Sequence, residues 1–237
     1  MIKEFFLNDK GGIGFELFDI SHIFILSVFS ILVFIIYIKQ DELKNLSDKT
    51  KKKIQLLMIT ILMLNRMLYI GSYIYYGIYT WRLNLPLELC FITGYIFIFS
   101  LILKKEWLFK LSYFMTFIGP LAAILLPKFE KSWDYYVFYE FMLSHHFLFL
   151  SVLIIFYMHN IKITIKDTLK SFALTLGIFL TMNVFNSVFN TNYIFSKELP
   201  WHVLKKFPIL NYIEKRVNSH SYSIQLLLHL LYHHGYI

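Results

Sequence analysis

Six apolar runs, each about long enough to cross a bilayer and parted by short polar linkers, constrain this chain more than any other feature. They cover about 20–38, 54–76, 86–103, 107–126, 136–158 and 169–189. A hydrocarbon core of about 30 Å takes about 20 residues of helix, and within it a helix satisfies its own backbone polar groups. The composition agrees: 57% of residues are hydrophobic and 16% charged, against about 25% charged in a soluble domain. The expectation is an all-α, polytopic transmembrane helical bundle forming one integral membrane domain over residues 1–237. Gly119-Pro120 should kink the fourth run, because proline lacks the amide donor and its ring crowds the preceding turn. The segment 190–221, with LPWHVLKKFPILNYI inside it, reads as interfacial. The run 222–237 is short for a span and is a candidate seventh.

The formal net charge is +8. In a soluble protein that would suggest nucleic acid. Here the basic residues stand between apolar runs, no basic helix is interleaved with stacking aromatics, and no nucleic-acid partner is expected. The first, third and fifth linkers carry twelve Lys and Arg, against five in the N-terminal tail and the second and fourth linkers; the long segment after the sixth run carries five more on the outer side, where the rule binds less tightly. That bias predicts a multi-pass protein of the cell membrane with its N-terminus outside. The N-terminal stretch shows no small-residue cleavage site and reads as uncleaved. Nothing bears on oligomeric state.

Cys90 is the only cysteine, which excludes an intramolecular disulfide and a cysteine-based metal site. His229 and His233 share a helix face, with His220 or His202 as a third ligand, but no Asp or Glu accompanies them and no metal is expected. No Walker loop or G-x-S-x-G is present, Gly11, Gly12 and Gly14 fit no dinucleotide fingerprint, and no cofactor is expected.

Polar groups inside spans are costly and commonly face a shared interior. The second run carries Asn65, Arg66, Tyr69, Ser72 and Tyr73 at helical spacing. The sixth carries Asn183, Asn186, Ser187 and Asn190, the fifth Glu140, Ser144, His145, His146 and Ser151, and the third opens with Glu88 and Cys90. Each has an ordinary structural explanation. A lone membrane cysteine commonly packs, and amide or tyrosine stripes join helices at about 0.6 kcal/mol per hydrogen bond. Arg66 is the exception, since an unpaired guanidinium at mid-membrane costs about 3 kcal/mol or more. Its candidate partners are Glu88, Glu140 or an anionic substrate group such as a lipid phosphate. With the N-terminus outside, Cys90 lies near the outer surface and His145 about 14 Å below Tyr136.

A thiol beside an imidazole can become a nucleophilic thiolate. In a membrane the accessible electrophile is a lipid acyl ester. Attack by Cys90 would give an acyl-thioester, resolved by an alcohol in a transferase or by water in a hydrolase. His145 or His146 would take the thiol proton. Arg66, Asn183 or Asn186 would hold a phosphate or an oxyanion. The alternative is a small membrane transporter or lipid-binding protein without covalent chemistry, whose binding path Arg66 and the asparagines line. The absence of an internal repeat speaks against a transporter.

The motif LPLELC at residues 85–90 resembles the LPL-x-LC signature of the YwaF-like bacterial membrane proteins, relatives of the transmembrane protein 164 family of acyltransferases. FELF followed by His22, WLFKLSYFMTFIGPLAAILLP, SHHFLFL and NTNYIF extend the likeness over about residues 15–197. The resemblance implies acyl transfer on membrane phospholipids with Cys90 as nucleophile and His145, rather than His146, as its partner. It adds Glu88, which stands where relatives carry histidine, together with Asn190 and Tyr193, to the substrate-binding candidates.

Overall fold

A computed structural model describes residues 5–6, 17–127 and 135–196. The chain divides into two compact units, Met1–Leu180 and Thr181–Ile237. The candidate seventh span at 222–237, the segment 197–221 and with them His202, His220, His229 and His233 lie outside the described residues, as do Gly11, Gly12 and Gly14.

The described residues are helical, without strands. The first helix, α1, spans Ile20–Ile38 and starts where the Asp19 carboxylate accepts from the His22 amide at 2.7 Å. A short α2 (Gln40–Lys44) leads into α3 (Asp48–Tyr75), whose first turn is capped by Ser47. That cap, followed by lysines that favour helix, starts α3 six residues before the apolar run at 54. A single turn, α4 (Trp81–Asn84), precedes α5 (Leu89–Leu103). The third apolar run thus becomes helical three residues late, because Pro86 and the extended Glu88 hold the chain open. The α6 (Glu106–Ile118) and α7 (Pro120–Leu125) helices meet at Gly119, where Pro120 opens the second of them. The expected break falls there.

The fifth run forms a single rod over residues 136–158, made of α8 (Tyr136–Met142), a π-helical turn (Leu143–Phe147) and α9 (Leu148–Met158). Half of this rod is buried, against 11% of the α1 window and 17% of the α3 window. It touches α1, α3, α6 and α7, and carries residues of both apolar cores of the first unit. In one core Val152, Ile155 and Met158 meet Leu62, Phe97 and Phe109; in the other Phe149 and Leu153 meet Phe29 and Ile124. Finally, α10 covers Ile165–Phe189. Its start, four residues before the apolar run, is a reciprocal capping box: the Thr164 amide donates to Asp167 and the Asp167 amide to the Thr164 hydroxyl. Lys110 of α6 ties that turn down, pairing with Asp167 at 3.0 Å.

Five of these helical stretches are long and apolar enough to cross a membrane. The sixth, α5, has 15 residues and is the shorter apolar helix among them.

Candidate functional site

An arginine inside an apolar helix needs a counter-charge, and Arg66 finds it on the central rod. Its Nη2 donates to Glu140 Oε1 at 3.0 Å, with both side chains nearly buried. Ser144, one turn further along, donates to the same carboxylate oxygen at 2.5 Å. The Ser144 hydroxyl accepts in turn from Arg66 Nη2 at 3.3 Å and from Asn65 Nδ2 at 3.2 Å. Tyr136 closes the group by donating to the Asn65 carbonyl at 3.2 Å. The guanidinium carbon sits 3.4 Å from the centre of the Phe91 ring and 5.0 Å from that of Tyr69. Aromatic faces attract cations, and they hold this one where water is scarce. The other terminal nitrogen, Nη1, is buried and has no hydrogen-bond partner among the described residues. Of the two acids expected for Arg66, Glu140 is the one it pairs with.

Cys90 stands in the first turn of α5 and is buried. It lines a cavity of about 30 Å³ together with Asn65, Arg66, Tyr95 and Ser144. That is room for one or two water-sized groups. The thiol is thus brought to the same small space as the arginine and serine of the polar cluster. Gly119 helps to place it. A Cβ there would stand 3.1 Å from Leu89 Cγ, tighter than ordinary contact, so glycine lets the α6–α7 joint press against the residue beside Cys90 without displacing the Leu89 side chain. Glu88 is the N-cap residue of α5 but makes no side-chain cap.

The π-helical turn spreads the two histidines. His145 Nδ1 faces the Phe141 carbonyl at 2.9 Å, and a carbonyl only accepts, so Nδ1 carries the proton and Nε2 is left as the basic atom. His145 lies within electrostatic reach of Arg66, and His146 within reach of His22. Neither imidazole is among the residues lining the Cys90 cavity. His146 instead faces α1, where Phe29 meets its ring edge-on at 5.3 Å. A π turn carries one residue more than an α turn, so the extra residue at this point shifts every side chain's bearing from the α-helical projection.

The candidates of the sixth run belong to the second unit. Asn186 is fully buried, and its amide is engaged throughout: Nδ2 donates to the Tyr193 carbonyl and the Ser196 hydroxyl, while Oδ1 accepts from Thr191 and the Tyr193 amide. Asn183 donates to the Ser196 carbonyl at 3.0 Å. Asn190 takes a left-handed conformation, φ 52°, as the helix ends, and Tyr193 is buried. These residues fold 191–196 back onto the end of α10.

Asn65 and Ser144 complete the cluster around Arg66 without having been singled out as site residues in the sequence, where they are polar letters in apolar runs; Glu140 is expected there only as a candidate partner of Arg66. The signal that selects Glu140 is charge balance within the bilayer. His22 is a further case: its Nδ1 accepts from the Phe18 amide and its Nε2 donates to the Ile124 carbonyl, each at 3.0 Å, pinning α1 to α7.

Fold and site together define a multi-pass helical membrane protein with a buried polar centre of thiol, arginine, carboxylate, hydroxyl and amide. The model of the TMEM164 family matches residues 17–232, and the chain belongs to that family. No curated protein and no solved structure matches it.

Proposed function

We propose that this protein is a membrane-embedded, YwaF-like acyltransferase that moves fatty acyl chains between glycerophospholipids through a thioester on Cys90. The observation that carries the reading is the cavity that Cys90 shares with Arg66 and Ser144; one guanidinium nitrogen of that arginine, Nη1, has no hydrogen-bond partner among the described residues. The depth of the site fits the substrate. The 15 residues of α5 span about 22 Å, short of a 30 Å core. With Lys104 and Lys105 held at the headgroups of one leaflet, Cys90 stops below the boundary of the other. The bilayer thins around so short a helix, which brings ester carbonyls toward the thiol.

In the proposed step the sulfur of Cys90 attacks the ester carbonyl carbon as the thiol gives up its proton to His145, the partner that the resemblance implies, whose imidazole must approach from outside the Cys90 cavity. The Arg66 guanidinium, which lines the cavity, donates to the oxyanion. The tetrahedral adduct collapses, the C–O bond to glycerol breaks, and the leaving alkoxide takes the proton back from His145. A lysophospholipid departs and the acyl group remains on sulfur. The hydroxyl of a second lipid reverses these steps and restores the thiol. The positive-charge bias of the linkers supports a cell-membrane setting with the N-terminus and the Cys90 end outside.

The test is direct. Protein incubated with a palmitoyl phospholipid should carry a palmitoyl group on Cys90, removed by hydroxylamine and seen by mass spectrometry. Cells expressing Cys90→Ala should keep the acyl composition of cells that lack the protein. Equal remodelling by Cys90→Ala and the natural protein would refute the nucleophile.

A further inference from the structure

Neither the backbone nor the packing of α5 explains Gly94. It stands inside the helix without a left-handed φ, where alanine would favour the helix more. A Cβ there would meet one atom within 4 Å, Leu148 Cδ2 at 3.7 Å, which is an ordinary contact. What the missing side chain leaves open is the wall of the Cys90 cavity, which Gly94 lines one turn beyond the thiol. That cavity is sorted by polarity. Asn65, Arg66 and Ser144 line it beside Cys90, and Leu62, Gly94, Ile98 and Leu148 line the remainder. The sorting has a direction. The α3 helix runs against the rod, since Asn65 bonds Ser144 while Gln55 bonds His159. Leu62 and Leu148 therefore both lie on the Gly94 side of the polar group. Gly94 and Ile98 stand about 6 and 12 Å beyond Cys90 along α5. Met63 also lines the cavity and is 40% exposed, so its side chain stands between the cavity and the bilayer.

An acyl thioester has the same order, a polar carbonyl followed by methylenes. Resting on the thioester reading, we infer that the acyl chain leaves Cys90 over Gly94, and that this glycine makes the site selective for chains unbranched near the carbonyl. The carbonyl stays with Arg66 and Ser144, and the first methylenes lie against Gly94, Leu62 and Leu148. A volume of about 30 Å³ holds the carbonyl and the first few carbons at most. The rest of the chain passes Met63 into the hydrocarbon of the bilayer. Chain length is therefore not read by the site. A methyl branch at carbon 3 is read, because it takes the space that the absent Cβ leaves. Covalent attachment to the sulfur fixes what occupies this apolar wall.

Full-length protein in nanodiscs of a dialkyl ether phosphatidylglycerol, which holds no ester, tests this. One diacyl phosphatidylglycerol donor is added at a time, and acylation of Cys90 is followed by mass spectrometry. Decanoyl, palmitoyl and 14-methylpalmitoyl chains should react within about threefold of one another, and 3-methylpalmitoyl about tenfold or more slowly. Gly94→Ala should take palmitoyl about tenfold or more slowly, yet unfold at a higher fraction of sodium dodecyl sulfate. A glycine that served packing alone would lose stability on the same change. Gly71→Ala, on α3 away from the cavity and with nothing within 4 Å of its Cβ, should gain stability and acylate as the natural protein does. The inference alone is overturned, and the thioester stands, if the 3-methyl donor reacts as fast as palmitoyl, or if Gly94→Ala acylates normally or unfolds more easily. A natural protein that carries no acyl group on Cys90 with any donor refutes the thioester, and this inference with it.

Discussion

Replacing Glu140 with leucine should strand the Arg66 guanidinium inside the protein. The pair is 3.0 Å apart and its side chains are 11% and 7% exposed. At an effective dielectric of about 20, two unit charges at that distance attract by about 5–6 kcal/mol. Part of that is offset by the desolvation of the two ions, so deleting one partner is expected to cost about 3–5 kcal/mol. The loss falls on a group that already has one unsatisfied nitrogen, Nη1, and it also removes the acceptor of Ser144. Arg66→Met should cost a similar amount by leaving the carboxylate behind. The double variant Arg66→Met/Glu140→Leu removes both charges and should recover most of the stability, giving a coupling energy of about 5 kcal/mol or more. Reversible unfolding in mixed micelles with rising sodium dodecyl sulfate, followed by circular dichroism, measures all three. Single variants within about 0.5 kcal/mol of the natural protein, or a double variant as weak as the sum of its parts, would refute the reasoning.

Three further outcomes follow from other contacts. Gly119→Val places a side chain against Leu89 and should destabilise by about 1–3 kcal/mol, with Leu89→Ala relieving part of the strain in the same unfolding assay. His159 lies just beyond the central rod; burial, then the charge of Lys51, lower its pKa from 6.5, so the unfolded chain binds the extra proton first and stability should fall as the pH drops below about 6.5. Lys51→Ala should raise the His159 titration midpoint measured by NMR. In a Cys90→Ser background, Lys49→Cys should react with a membrane-impermeant maleimide only after the cells are opened; reaction in intact cells would reverse the orientation.

The helical membrane class was legible because hydropathy is a local property. The bounds of α1 and of the central rod, Ile20–Ile38 and residues 136–158, coincide with their apolar runs. Where hydropathy and helix part company, side-chain capping is the cause: Ser47 and Thr164 start α3 and α10 within polar sequence that a span reading skips.

The site was legible only in part. Arg66 announces itself, since a charge in hydrocarbon demands a partner, and that demand narrows the choice to two acids. Which acid answers depends on which helix lies alongside, and linear sequence does not encode that. The same holds for Asn186, whose letter suggests a ligand while its amide is spent on its own unit. The histidines are decided by the π turn, an insertion of one residue into the hydrogen-bond ladder that shifts direction without changing composition. By itself the sequence determined how many apolar segments there are and where polar groups interrupt them, because transfer from water to hydrocarbon acts residue by residue. Tertiary structure alone decided that Cys90, Arg66 and Ser144 share a cavity and that His146 turns toward α1, because helix packing and hydrogen-bond register are properties of neighbours far apart in the chain.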